Sequence, residues 1–445
     1  MPTRPARTPR LPPEERRRQL LDAALEVLAE EGFDALTVEA VARRAGLTRP
    51  VIYDQFGDLD GLLLALVDRE EEAALAPLLG IVGDLPPGDV APDAFLVDAV
   101  RRFLTAVSAS PTTWRLVLMP RDGGPPELRE RVQRSRRMVT ERVAALVGWG
   151  VERRGGPEGL DVELLGRLLV AAGEDAARLV IAQPETYTPE RLAHAAAAVV
   201  RLVPPDTVLA PPAPRAAGPE ASATPVTERA GAATDGAAAP EAGAGGKAKR
   251  VPMGERRQQL LDHALALAAE EGFDALTVES IARRAGVSRV IVYRAYASLQ
   301  VLLLALLERE NRRMREQLER LLPDDPGGRS ARQVMEEALT GFLGLVMADP
   351  QTWRVALQRP ESAPKALQLV VSRRRADLAK RLRPLVAWGI QRLDAPPDEL
   401  DPELVSRLLL TAGEELGRIA LTEPELPPAR LIDSVTRVVG ALPWR

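Results

Sequence analysis

Cysteine is absent from this 445-residue chain, which excludes disulfides, thiolate metal sites and cysteine nucleophiles. Histidine is nearly absent: His194 and His263 are the only two, a poor inventory for a metal centre or a histidine-based triad. No constellation for enzyme chemistry or for a cofactor is left. Long apolar runs are missing as well. Leu62–Val67 and Val301–Leu307 are among the longest, far below a membrane-spanning length. The stretch Met1 to Pro13 is rich in proline and arginine without an apolar core, so no secretory signal is expected. These absences suggest a cytoplasmic protein that does not contact membrane. Net charge is −4, so bulk charge does not announce a nucleic-acid partner, and any such case rests on local placement. Arginine far outnumbers lysine, and alanine and proline are abundant, which we read as GC-rich coding bias.

What the chain does contain, it contains twice. Aligned at an offset of 240, residues 15–56 and 255–296 are identical at 27 of 42 positions. Further landmarks recur: Pro111-Thr112-Thr113-Trp114-Arg115 with Pro350-Gln351-Thr352-Trp353-Arg354, Trp149-Gly150 with Trp388-Gly389, and Ala172-Gly173-Glu174 with Ala412-Gly413-Glu414. The repeat is a whole domain, not a short-period solenoid.

Helical periodicity runs throughout, and no window alternates as a strand would. Leu20, Leu21, Ala24, Leu25 and Leu28 share one helical face. Gly32 stands where a left-handed C-cap is expected, with Phe33 packing back. Thr37 caps a second helix, Gly46 breaks it, and Thr48 caps a third that tolerates Pro50 in its first turn. Longer helices are expected near 59–79, 92–108, 112–119, 126–153, 161–182 and 188–202. The first half is thus an all-α unit of about nine helices, and the second half repeats it.

Between the halves the composition changes. From Ala210 to Arg250, Val226 is the only apolar residue larger than alanine, prolines aside. Such a segment buries too little surface to offset its ordering entropy, so a disordered linker is expected. As a 49-residue coil it would span roughly 35–42 Å, about one DNA turn. The expected organisation is a basic arm (1–13), a three-helix head (14–60), a helical domain (61–203), the linker (204–252), a second head (253–300) and a second helical domain (301–445).

Two short helices around a glycine turn have helix-turn-helix geometry, in which the second helix enters the major groove. The residues Leu20-Leu21-Asp22-Ala23-Ala24, Glu31-Gly32-Phe33 and Thr37 to Phe56, with their second copy, resemble the amino-terminal domain of TetR/AcrR-family transcriptional regulators. The resemblance implies a dimer bound to double-stranded operator DNA, a pocket for a small-molecule effector among the later helices, and repression relieved by that molecule. Carried over by position, it implies phosphate contacts from Thr37 and Thr277, with Arg44 and Arg284 in support. Arg49, Pro50 and Val51, and Arg289, Val290 and Ile291, would lead the recognition helices into the groove. Tyr53, Gln55, Tyr293 and Arg294 would contact DNA from further along. Arg49 and Arg289 are the leading base readers, because an arginine can bind a guanine edge bidentately.

The sequence also departs from the family. Gln55 and Ala295 stand where histidine is common, and Leu59 and Leu299 where lysine is. The heads differ from each other at Asp54 and Arg294 and at Pro50 and Val290. Residues 1–60 carry nine basic and eleven acidic groups, a balance of −2, whereas 244–300 carry nine and six, a balance of +3. The second head is therefore expected to bind DNA more strongly, each head being preceded by a basic arm (Arg4, Arg7 and Arg10; Lys247, Lys249 and Arg250).

Leu164, Leu165, Leu168, Leu169, Ala172 and Ala176 form an apolar face answered by Leu404, Leu408, Leu409, Ala412 and Leu416. Small residues (Ala171, Ala172, Gly173, Gly413 and Gly417) suggest close helix approach there. By the resemblance, these helices would join the two units as an intramolecular pseudo-dimer on an asymmetric operator, with a homo-oligomer as the alternative. Candidate pocket residues are Phe103, Trp114, Met119, Met138 and Trp149, and in the second unit Phe342, Met347, Trp353 and Trp388. The competing functional reading is a helical ligand-binding or assembly module whose heads no longer read DNA.

Overall fold

A computed structural model describes residues 12–32, 35–83, 90–118, 126–157, 159–203, 252–322, 326–357, 365–396 and 399–445, without the side chains of 126–129, 274 and 365–368. Phe33, Met119, both basic arms and nearly all of the expected linker lie outside the described residues. Among those described, the chain forms eighteen α-helices, and an isolated bridge between Leu393 and Trp444 is its one strand-like pairing. No single helix there is long and apolar enough to cross a membrane.

Each head is three helices: α1 (Pro13–Glu31), α2 (Val38–Ala45) and α3 (Arg49–Phe56) in the first. The second has α10 (Met253–Glu271), α11 (Val278–Arg284) and α12 (Arg289–Ala295). The Thr37 hydroxyl accepts the Ala40 N–H at 3.1 Å, a cap worth about 1 kcal/mol. Gly46 turns the chain with φ 65° and ψ 27°, a left-handed conformation that costs glycine little. Two expectations fail in detail. Gly32 has φ 86° but ψ −179°, so α1 leaves in an extended exit and not a left-handed cap. Thr48 occupies the N-cap of α3 without a side-chain capping bond.

The heads close on buried cores of Leu20, Ala24, Val41 and Ile52 in one and Leu260, Ala264, Ile281 and Val292 in the other. A long helix carries each core onward, α4 (Leu59–Val82) and α13 (Leu299–Leu321). Arg69 of α4 reaches Asp22 of α1 at 2.6 Å, and Arg309 of α13 reaches Asp262 at the same distance.

The first helical domain continues through α5 (Pro92–Ala109), α6 (Pro111–Val117), α7 (Pro126–Arg154), α8 (Val162–Ala182) and α9 (Pro189–Arg201). The second repeats it as α14 (Ala331–Ala348), α15 (Pro350–Leu357), α16 (Lys365–Ile390), α17 (Pro402–Thr422) and α18 (Pro428–Ala441). Helices α8 and α17 lie against each other, and the two cores exchange leucines. Leu164 is buried among Leu343, Leu416, Ile419 and Leu431 of the second domain. Its counterpart Leu404 is buried among Ala177, Val180 and Tyr187 of the first. Gly417 allows close approach within its own unit. A Cβ on Gly417 would lie 2.8 Å from Leu357 and 3.2 Å from Phe342, so this glycine admits side chains of its own unit.

Candidate nucleic-acid interface and regulatory cavity

On the recognition helices α3 and α12 the inward positions are filled: Ile52 is fully buried and Val292 nearly so. The outward positions hold large apolar groups in solvent, with Tyr53 51% exposed, Tyr293 55% and Val290 66%. Folding alone would not leave these side chains uncovered at equivalent places in both heads. Arg49, Pro50, Asp54, Arg289 and Arg294 are exposed beside them, while Val51, Gln55 and Ile291 are half-buried.

Both leading arginines are held by an acid of the preceding helix. Arg49 lies 2.7 Å from Glu39 and Arg289 lies 2.5 Å from Glu279. All four side chains are largely exposed, so these pairs contribute little to stability and can open toward DNA. Thr37 and Thr277 are exposed caps, the latter in a reciprocal capping box with Ser280. Each retains surface access for a phosphate.

Arg44 and Arg284 are placed differently from expectation. Arg44 binds Glu30 at 2.7 Å and Glu31 at 3.2 Å, and Arg284 binds Glu270 at 2.6 Å. The arginine hydrogen bonds hold the Glu30 and Glu270 carboxyls below their usual range. These two arginines therefore tie each second helix to the first.

Behind the first head, a cavity of about 1850 Å³ opens among α4, α5, α7, α8 and α9 and continues across the boundary to α10, α15, α17 and α18. Phe103, Trp114 and Trp149 line it as expected. Phe103 and Trp114 meet edge to face at 5.2 Å. Met138 does not line it. None of the second-unit candidates lines it either. Phe342 and Trp353 pack with Met314, Leu318 and Val346 in a filled core, Met347 is exposed, and Trp388 lies under the Arg392 guanidinium at 4.2 Å.

Short helix α6 touches both the cavity and the head. Trp114 and Val117 face the cavity, whereas Leu116 is buried in the first head's core. The Thr113 hydroxyl donates to the buried carboxylate of Glu70 on α4 at 2.5 Å, and Thr352 does the same to Glu310 at 2.7 Å.

Where α8 meets α17, charged groups are buried in a network. Arg136 of α7 binds Glu174 at 2.6 Å and, across the boundary, Glu415 at 3.2 Å. Its counterpart Arg375 of α16 binds Glu414 at 3.3 Å and, across the boundary, Asp175 at 3.0 Å. Glu174 and Glu414 stand out in the sequence as landmarks of the repeat; Arg136, Asp175, Arg375 and Glu415 do not. Arg115 and Arg354 take no part in these pairs.

The amino-terminal model of the tetR family of bacterial regulatory proteins matches at residues 20–66 and again at 260–306, and the tetracyclin repressor-like C-terminal domain matches at 92–203. The chain belongs to the TetR family. The chain is 40% identical over 82 residues to the HTH-type transcriptional repressor Rv1474c of Mycobacterium tuberculosis, covering 18% of this chain and 44% of that protein. It is 45% identical over 60 residues to the HTH-type transcriptional activator FasR of Mycolicibacterium smegmatis, covering 14% and 27%. The chain thus spans less than half the length of these curated relatives. Among solved structures, a TetR-like transcriptional regulator from Rhodococcus sp. RHA1 is 28% identical, with 43% of this chain and 99% of that one covered at a TM-score of 0.35. Within this TetR-family chain, the C-terminal match falls in the unit that holds the cavity.

Proposed function

We propose that this chain is a ligand-responsive transcriptional regulator whose two heads grip one operator as a single-chain pseudo-dimer. The observation that carries this reading is the pair of recognition helices, each rigidly cored and each presenting an exposed tyrosine beside an exposed arginine. The exchanged leucines and the charge network across α8 and α17 support intramolecular pairing. A linker of this length keeps one unit at an effective concentration in about the mM range for the other.

Because Pro50 and Asp54 face Val290 and Arg294 in the aligned heads, the two half-sites should differ. A homodimer of identical heads would favour a palindrome. The effector acts through α6: a molecule against Trp114 shifts the helix whose Leu116 lies in the head core. The Thr113–Glu70 bond carries that shift to α4. Occupied operator represses transcription, and the ligand releases it. The protein works in the cytoplasm, at the DNA.

A salt titration tests the DNA reading. Operator affinity should fall by orders of magnitude between about 50 and 200 mM salt while still exceeding that for random duplex. Salt-insensitive or sequence-blind association would instead indicate an assembly module with inactive heads.

A further inference from the structure

The two units place different side chains around the same interior. Ala74 of α4 lines the first-unit cavity, and its counterpart is Met314, which is buried against Leu318, Val346 and Trp353. Pro77 has Gln317 as its counterpart, and the Gln317 carbonyl accepts the Trp353 indole N–H at 3.0 Å. Ser135 of α7 lines the cavity. Its counterpart Arg374 reaches across the second unit to the Ala356 carbonyl at 2.6 Å and the Asn311 side chain at 3.2 Å. At each of these positions the second unit holds the larger side chain, and each is packed or bonded. At the two positions that line the first-unit cavity, Ala74 and Ser135, the second unit holds a thioether and a guanidinium.

Several charged groups at the wall of the open cavity are paired. Glu71 is bound by Arg131 at 2.7 Å, Arg136 by Glu174 at 2.6 Å, and Arg154 by Asp93 at 3.0 Å. An anionic or cationic ligand would have to break such a pair inside a poorly solvated site, whereas an uncharged one would not. Other charged groups, Arg137, Glu141 and Arg354 among them, also reach the wall, but most of it is aliphatic and aromatic, with Phe95, Trp149, Phe103 and Trp114 among its residues. The whole space, including the part lined by α10, α15, α17 and α18, is about 1850 Å³, above the roughly 300–1,000 Å³ of most ligand sites, room for a long or bulky molecule.

We propose that the chain carries one effector site, in the first unit, for an uncharged apolar molecule, and that the second unit is a ligand-blind partner. This rests on the regulatory reading above, and it adds stoichiometry and ligand class. Arg136 sits where the site meets the second unit through Glu415, so one bound molecule acts on both heads.

The test uses the intact chain and the neutral dye N-phenyl-1-naphthylamine, followed by fluorescence and equilibrium dialysis without DNA. The expected result is one dye per chain. Ala74→Met, which copies the second unit's side chain into the first, should weaken binding at least tenfold while leaving the helical circular dichroism unchanged. The double variant Met314→Ala/Arg374→Ser should open a second site and raise the ratio toward two. Two dyes per intact chain, no dye bound, or Ala74→Met binding as before would each overturn the proposal. If the double variant fails to fold, the Ala74→Met arm still decides. One dye per chain with no effect on operator affinity would support the site and remove the regulatory reading.

Discussion

Asp161 and Arg430 stand 269 residues apart in the sequence and 2.9 Å apart in the structure. Their counterparts Asp401 and Arg191 meet at 2.6 Å. Each aspartate also caps its own helix, accepting the Leu164 N–H in α8 and the Glu403 N–H in α17. A residue that starts a helix in one unit is therefore held by an arginine of the other. The gene duplication has become a set of reciprocal bonds inside one molecule.

The bonds across this boundary are unequal in energy. Arg430 is 43% exposed, and losing such a pair costs about 0.2–1 kcal/mol. Arg375→Ala would leave Asp175 and Glu414, both buried, without that partner. Urea unfolding should register a loss of about 3–5 kcal/mol for Arg375→Ala against under about 1 kcal/mol for Arg430→Ala. Equal losses would mean that the network is solvated.

Acid should loosen the same boundary. Burial acts to raise the Asp161 and Asp401 carboxyls, but the hydrogen bonds and charge of Arg430 and Arg191, together with backbone hydrogen bonds from Leu164 and Glu403, hold both below the ordinary 3.8. A depressed carboxyl contributes stability that is fully present above about pH 3.8 and is lost as pH falls through its lower folded value. Thermal unfolding followed from pH 7 to 3 should steepen below about pH 4. The Arg191→Ala/Arg430→Ala variant should show a shallower acid limb, and an identical limb would remove these aspartates from the account.

The coupling through α6 predicts a separable defect. Thr113→Val leaves the buried Glu70 carboxylate with fewer donors, at a cost of about 1–3 kcal/mol. Dye binding in the first-unit cavity should persist, while its effect on operator affinity should shrink. A full response in gel-shift titrations with dye would show that the signal bypasses this bond.

The heads were legible in the sequence because their signals are local. Thr37, Gly46 and the apolar positions from Leu20 to Ile52 fix two turns and one core within forty residues of chain. Helix ends were legible for the same reason, as at Thr188 with Pro189. The inter-unit network was not, because Arg136 and Arg375 lie on long polar helices where a charged residue reads as a solvated face. Only the fold reveals that they point at Glu415 and Asp175. The unequal cavities were hidden for a different reason. The matching Trp114 and Trp353 suggest matching pockets, whereas the volume is decided by Ala74 against Met314 and Ser135 against Arg374. The pairing of Arg44 with three glutamates of α1 was hidden in the same way, because those acids lie 13 to 18 residues away in sequence.

Asp54 should weaken operator binding by the first head. It is exposed on the recognition helix, where a carboxylate meets phosphate unfavourably. Asp54→Asn should raise operator affinity roughly threefold to tenfold at low salt, about 1 kcal/mol of relieved repulsion, without changing the sequence preferred. Fluorescence anisotropy on the native site checks it, and an altered preference would place Asp54 at a base.

Selection of bound sequences from a random DNA pool, using the intact chain, tests the central claim most directly. The account predicts one asymmetric site of two unlike half-sites per chain. Arg49→Ala should relax one half and Arg289→Ala the other, each by about 1–3 kcal/mol of discrimination. A perfect palindrome bound by two chains, or a motif untouched by either substitution, would contradict it.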